Sequence, residues 1–213
     1  MSPVSDAARA GPGGTLVEIR PERSLSDDDP SDAELLQRCL ERRPECDEEA
    51  FRVLYDRHLP ALLGFLRRLL PGDEHAARDR AQETFFRLFR ALDRLDTTRP
   101  LRPWLYTVGR NLAIDHLKRG ASAMTPAGAL GDEVSDPTAG EERRRGELSE
   151  LVRRAVATLD LEHRAVYHLK HVAGLTFDEV ASVVGCSPRT AKTRMKRALE
   201  AIGAELERLG LEV

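Results

Sequence analysis

Leu175-Thr176-Phe177-Asp178-Glu179-Val180-Ala181-Ser182-Val183-Val184-Gly185-Cys186-Ser187-Pro188-Arg189-Thr190-Ala191-Lys192-Thr193-Arg194-Met195-Lys196-Arg197-Ala198 is the stretch from which the rest of the chain is read. Thr176 and Glu179 have the spacing of a capping box and start a helix. Val180, Ala181, Val183 and Val184 give that helix an apolar face. Gly185 suits the left-handed position that closes a helix, and Ser187 followed by Pro188 opens the next one. Helix, short glycine turn, helix is the helix-turn-helix arrangement, in which the second helix enters the DNA major groove. That helix carries the matching chemistry: Arg189, Lys192, Arg194, Lys196 and Arg197 are cationic, and Thr190 and Thr193 add short hydroxyls. Lys and Arg neutralise phosphates, and Arg also reads guanine edges. Ala191, Met195 and Ala198 recur at helical spacing and are expected to face inward. A basic run alone describes an ordinary solvated helix; the paired caps and the turn are what favour DNA binding.

The chain has 213 residues and a formal net charge of −3, an unusual sign for a DNA-binding protein. Its distribution resolves the conflict. Residues 1–48 carry 12 acidic and 6 basic side chains, so the remainder is net positive by three. Cys39, Cys46 and Cys186 form no metal-binding or disulfide pattern, which fits a reducing, cytoplasmic setting. No apolar run approaches the ~20 residues of a membrane span, and no basic start leads into an apolar core, so neither membrane insertion nor a signal peptide is expected. No GxGxxG, P-loop or HExxH motif occurs, and no cofactor is expected. His168 and His171 share a helix face but lack a third ligand, so no metal is expected. No acid–base or nucleophile constellation can be argued from spacing, so no catalytic residue is expected and the chain is not read as an enzyme.

Working outward, residues 1–30 are rich in Gly, Pro, Ser and Asp and are expected to be a disordered acidic tail; Leu16, Val17 and Ile19 leave a short strand or docking segment open. Ser31 to Glu34 is a second capping box and begins a helix to about Glu41. A second helix begins near Asp47 and continues beyond Pro60, where a kink or brief break is expected. A third runs from about Asp73 to Leu95. Phe85, Phe89 and Leu92 pack inward, while Asp79, Gln82, Glu83 and Phe86 fall on a neighbouring face. That face fits either a protein contact or ordinary solvation. Asp96–Arg102 reads as a loop. Pro103 begins a fourth helix to about Arg119, with Trp104, Leu105, Val108 and Leu112 inward and Thr107, Asn111, Asp115 and Lys118 in a polar stripe beside Arg110. Arginines next to aromatic side chains suit unstacked single-stranded bases. Trp104 and Tyr106 equally suit a core. Residues 120–145 lack periodicity and read as a linker. Helices over about 146–158 and 162–173 precede the helix-turn-helix, and Gly174 ends the second. The expectation is an all-α chain of two small helical domains: a 1–30 tail, a 31–119 unit, a 120–145 linker and a 146–213 unit.

Three segments resemble one family. Asp79-Arg80-Ala81-Gln82-Glu83-Thr84-Phe85 resembles the DxxQETF segment of sigma-70 region 2. Pro103-Trp104-Leu105-Tyr106-Thr107-Val108-Gly109-Arg110-Asn111-Leu112-Ala113-Ile114-Asp115-His116-Leu117 resembles its WLYxIARNLAIDxL segment, and Leu175–Ala198 resembles the region 4 helix-turn-helix. Their order and the intervening linker are similar to the small extracytoplasmic-function (group 4) sigma factors. The resemblance implies that Asp79, Gln82, Glu83 and Phe86 bind the β′ clamp helices of bacterial core RNA polymerase. It implies that Arg99, Arg102, Trp104, Arg110, Asn111 and Lys118 recognise and melt the −10 element of promoter DNA. Arg189, Thr190, Lys192, Thr193, Arg194, Lys196 and Arg197 would read the −35 element, with the second unit also touching the β flap. It further implies an anti-sigma partner. Thr158-Leu159-Asp160 replaces the family's usual Leu-Pro, Arg189 a common Gly, and Gly109 a usual Ala. The alternative from another class is a polymerase-independent helix-turn-helix regulator.

Overall fold

The computed structural model describes residues 29–42, 46–121 and 140–211. Most of the expected tail and linker, with Leu16, Val17 and Ile19, lies outside the described residues. The described elements are α1 (Asp32–Glu41), α2 (Glu48–Leu69), α3 (Glu74–Ala91) with a single 3-10 turn at Leu92–Arg94, α4 (Leu101–Ala121), α5 (Gly140–Ala157), α6 (Leu161–His171), α7 (Phe177–Val184) and α8 (Pro188–Arg208). Every one of these is helical, as the periodicities predict.

Local chemistry sets the helix starts. Ser31 and Glu34 cap each other reciprocally, with Ser31 N donating to Glu34 Oε2 at 2.7 Å and Glu34 N to Ser31 Oγ at 3.3 Å. The carboxylates of Asp47 and Asp73 accept from Ala50 N and Ala76 N at 3.0 and 2.9 Å and start α2 and α3. Four boundaries differ from the sequence reading. α2 runs through Pro60 without a break. Pro60 and Asp56, whose carbonyl loses its donor there, are both exposed, so solvent can replace the missing bond. α3 ends at Ala91, and the segment to Arg94 tightens into the 3-10 turn. α4 begins at Leu101, which places Arg102 in its first turn rather than in a loop; Pro103 still falls where a missing N–H costs nothing. α5 begins at Gly140, well before residue 146.

The first unit closes around aromatic pairs between its helices. Phe51 meets Phe89 edge-on at 5.8 Å, Tyr55 tilts on Phe85 at 4.7 Å, and Phe65 meets Tyr106 edge-on at 5.1 Å. Leu54, Leu62, Leu66 and Leu88 fill the space between these pairs and are fully buried. Gly109 lies where α4 crosses α2 and α3. A Cβ there would meet Leu62 Cδ1 at 3.0 Å and Thr84 Oγ1 at 3.5 Å, so the glycine lets the helices approach closely.

The two units do not have separate cores. The apolar cluster that begins at Leu35 and Leu54 continues without interruption through Leu169, Val180 and Met195 of the second unit. α4 packs on α7, and α2 on α6. A smaller cluster joins Ala155, Val156 and Leu159 to Ala198, Ile202 and Leu206, holding α5 on the C-terminal half of α8.

The start of α1 is fastened to α2 by charge. Arg57 Nη1 contacts Asp32 Oδ1 at 2.7 Å, Arg57 Nη2 donates to Pro30 O at 2.8 Å, and His58 Nε2 lies 2.7 Å from Asp32 Oδ2. Burial disfavours the Asp32 carboxylate, but the hydrogen bonds and charges of His58 and Arg57 outweigh it and hold the pKa below the ordinary value. A depressed carboxylate pKa contributes stability that is present above the unfolded value and is lost as pH falls through the folded one. Asp32→Asn is therefore expected to lower stability at neutral pH and to flatten its fall below about pH 4, as read by urea denaturation across that range. Gly109→Ala is expected not to raise the melting temperature, because crowding against Leu62 opposes the gain of about 1 kcal/mol that alanine gives in an open helix.

Candidate nucleic-acid and partner interfaces

The helix-turn-helix is built as its residues predict. Thr176 N donates to Glu179 Oε2 at 2.7 Å and Glu179 N to Thr176 Oγ1 at 3.3 Å. Gly185 takes φ +71°, and Cys186 N donates back to Ala181 O at 3.0 Å. Ser187 Oγ accepts from Thr190 N at 3.1 Å, and Pro188 opens α8. Upstream, Gly174 at φ +66° lets Leu175 N reach Leu169 O at 3.0 Å, closing α6. Val180, Ala181, Val183 and Val184 of α7 are buried with Ala191, Met195 and Ala198 of α8.

This packing leaves the opposite side of α8 in solvent. Arg189, Thr190, Lys192, Thr193, Lys196 and Arg197 are all exposed. Thr193 Oγ1 donates to Arg189 O at 3.0 Å, and Lys196 pairs with Glu200 at 3.6 Å. The ammonium of Lys192 stands 5.8 Å from the centre of the Phe177 ring, which also faces Lys170 at 5.2 Å. Arg194 differs from these: it is half-buried and turns toward α6, where its Nη1 meets Glu162 Oε2 at 2.8 Å.

A second surface lies on α3. Phe85 and Leu88 are buried, while Asp79 and Gln82 are exposed and Phe86 is 55% exposed, an unusual state for a phenylalanine. Glu83 is held by Arg87 at 2.8 Å, and Arg90 lies 5.7 Å from the Phe86 ring centre. Asp79, Gln82, Glu83, Phe86 and Arg87, with Leu112, Asp115, Lys118 and Arg119 of α4, line an open groove of about 820 Å³. An apolar ring between charged walls suits a complementary protein surface.

The residues singled out around the start of α4 divide three ways. Arg99, Asn111 and Lys118 are exposed, with Arg99 paired to Asp96 at 3.0 Å. The Thr98 hydroxyl and amide, helped by Arg99, hold the Asp96 carboxyl below its ordinary pKa. Trp104 is half-buried against the apolar cluster, and Tyr106 is a core residue under Phe65. Arg102 and Arg110 turn to the second unit: Arg102 Nη2 donates to Ala173 O, and Arg110, only 7% exposed, donates to Glu162 Oε1. Arg110 lies beside the polar stripe as expected, but against α6 rather than in solvent. Glu162 was not singled out from the sequence. An acidic residue in the first turn of a helix is ordinary, and nothing in its neighbours marks its two arginines.

His168 is buried, and that burial, with Arg68, Arg164 and His171 nearby, pushes its pKa down to about 3; burial also lowers His171. Both rings pack around Tyr167, at 5.4 and 5.0 Å. Among the described residues no group of three or more His, Cys, Asp and Glu is placed to hold a metal, and no helix is long and apolar enough to cross a membrane.

By fold and surface chemistry this is an all-helical helix-turn-helix DNA-binding protein with a separate exposed face suited to a protein partner. Residues 54–123 match the family model of Sigma-70 region 2, and residues 149–202 that of Sigma-70, region 4. The chain is 33% identical over 162 residues to the ECF RNA polymerase sigma factor SigL of Mycobacterium tuberculosis, covering 75% of this chain and 90% of SigL. It is 33% identical over 183 residues to the RNA polymerase sigma factor CarQ of Myxococcus xanthus, covering 82% of this chain and 99% of CarQ. Among solved structures it resembles CnrH in complex with the cytosolic domain of CnrY, with TM-score 0.62 and 27% identity over 83% of this chain and 97% of that one. It also resembles the sigma factor RpoE in complex with the anti-sigma factor NepR from Bartonella quintana, with TM-score 0.59 and 25% identity over 75% and 98% of the two chains. The chain belongs to the extracytoplasmic-function RNA polymerase sigma factors of the sigma-70 family.

Ser187→Ala removes the acceptor for Thr190 N and is expected to destabilise the protein by about 1 kcal/mol, as measured by chemical denaturation.

Proposed function

We propose that this chain binds a bacterial core RNA polymerase in the cytoplasm and directs it to promoters, reading a −35 element with α8 and recognising and melting a −10 element with the loop before α4 and α4 itself. The observation that carries the reading is the pairing, on one chain, of an exposed basic recognition helix with the exposed Asp79–Phe86 face. In this reading Asp79, Gln82, Glu83 and Phe86 dock on the β′ clamp helices, and the second unit touches the β flap. Arg189, Thr190, Lys192, Thr193, Lys196 and Arg197 reach the major groove, and Arg194 joins them once its contact with Glu162 opens, the hydroxyls and guanidiniums reading base edges and the lysines taking phosphates. Arg99, Asn111 and Lys118 meet the −10 DNA, with Trp104, Arg102 and Arg110 joining once their present contacts open. Capturing an extruded base offsets the few kcal/mol that unstacking costs. Catalysis belongs to the polymerase; this chain contributes specificity.

The net charge of −3 supports dependence on the enzyme, because the acidic surplus of the chain opposes long-range attraction to bare DNA and so weakens non-specific binding. Linking two modest DNA contacts and a protein contact multiplies their strength through effective concentration. The solved relatives bound to CnrY and to the anti-sigma factor NepR support an anti-sigma partner for this chain as well.

The test is transcription with purified core polymerase on a library of random promoters. Selective transcripts sharing two spaced upstream elements are expected; duplex binding by the chain alone without transcripts would instead mark a polymerase-independent regulator. Phe86→Ala is expected to weaken binding to core polymerase at least about tenfold while leaving the melting temperature within error, since the side chain is exposed. Lys192→Ala is expected to weaken holoenzyme binding at the −35 element and to reduce the slope of log K against log salt by about one.

A further inference from the structure

Glu162 lies in the first turn of α6, and its two oxygens go to two different helices. Oε1 accepts from Arg110 of α4, in the first unit, and Oε2 accepts from Arg194 of α8 at 2.8 Å. Both arginines belong to the surfaces assigned above to promoter DNA. Arg110 is 7% exposed, and its Nε has no partner, so Glu162 is the carboxylate that neutralises a nearly buried cation. Farther along the seam Arg102 Nη2 donates to Ala173 O, which ties the start of α4 to the turn ahead of α7. The other charged groups facing this seam are Asp115 and Lys118 of α4, and Asp160 and His163 of α6, the last two paired with each other at 2.6 Å.

A carboxylate that receives two guanidiniums occupies donors that a phosphate would otherwise take. We infer that Glu162 is a built-in latch: it stands in for nucleic-acid phosphate and holds the promoter-reading sides of the two units together in the free protein. The inference rests on the proposed promoter reading. Elements at −10 and −35 are about 25 base pairs apart, roughly 85 Å along a duplex at 3.4 Å per pair. Arg110 and Arg194 cannot share one carboxylate and also serve both elements, so the latched form is excluded from promoter binding. The covalent chain permits opening, because the 18 residues 122–139 can span up to about 65 Å, and the parts of the path inside α4 and α5 add roughly 17 and 27 Å at 1.5 Å per residue. The apolar packing of α4 on α7 also favours closure, but it is indifferent to charge. The Glu162 bridge is the ion-paired part of the seam, and DNA phosphate can compete for its guanidiniums. Its removal does more than delete a tether, since it leaves the Arg110 cation buried without a counter-charge and so opposes closure.

The experiment uses the full chain and its Glu162→Gln variant. Small-angle scattering gives the radius of gyration, and fluorescence anisotropy gives affinity for a labelled 30-base-pair duplex of mixed sequence. The variant is expected to be more expanded and to bind the duplex at least about tenfold more tightly, the Glu162 side chain being exposed enough for water to moderate the effect. Unchanged scattering and unchanged DNA affinity would overturn the latch. Should Glu162→Gln fold poorly by circular dichroism, Arg194→Glu sets two carboxylates against each other in the same bridge and is expected to give the same expansion; a compact, folded Arg194→Glu protein would equally overturn it. Transcription with core polymerase separates the two ideas. If the latch fails but the promoter reading holds, the wild type yields transcripts with no change in scattering on substitution. If the promoter reading fails, no transcripts appear while scattering still reports on the bridge.

Discussion

The structure depends on the burial of α4 on more than one side. Leu105, Tyr106, Leu112 and Ala113 are all buried, and Arg110 with them, and these positions span far more of the helix surface than a single stripe. An amphipathic helix packed on one neighbour shows one apolar face. α4 meets α2 and α3 on one side and α7 on another, and so shows more than one. Gly109 makes the first of these contacts close enough to work, with Leu62 and Thr84 filling the space a Cβ would need. Because α4 is shared, the first unit and the helix-turn-helix grow from one apolar cluster.

That sharing governs how the charged surfaces are distributed. The open side of α3, along the groove it forms with α4, carries Phe86 and its acidic neighbours outward, and the free side of α8 carries its cations outward. Arg102, Arg110 and Arg194 lie at the seam between the units and find protein partners there: a backbone carbonyl for the first, and one carboxylate for the other two. A guanidinium can serve a carboxylate or a phosphate with the same planar donors. The same side chains therefore suit both a closed protein and an opened one on DNA. The acidic surplus in residues 1–48 keeps the whole chain slightly negative while the recognition helix stays basic.

Local signals were readable wherever a feature is made by residues close in sequence. The boxes at Ser31–Glu34 and Thr176–Glu179, the caps at Asp47 and Ser187, and the left-handed Gly185 all lie within a few residues of their partners, and all appear as read. The apolar sides of α7 and α8 were equally legible from 3.6-residue spacing. Boundaries were less so. The 3-10 turn after Ala91, the start of α4 at Leu101 and the passage of α2 through Pro60 depend on what packs or solvates the backbone there. Gly109 read as a small cost in helix propensity; in three dimensions it is the contact point of three helices.

By itself the sequence determined the helices, their order, the helix-turn-helix, the Asp79–Phe86 face and the membership in the sigma-factor family. Each of these rests on short-range periodicity, capping or motif order, which one chain carries in linear form. Only the tertiary structure decided that the two units share a core, that Tyr106 is interior, and that Glu162 joins Arg110 to Arg194. The residues of that bridge are 52 and 32 positions apart, and no local spacing records which distant charge will neutralise a buried cation.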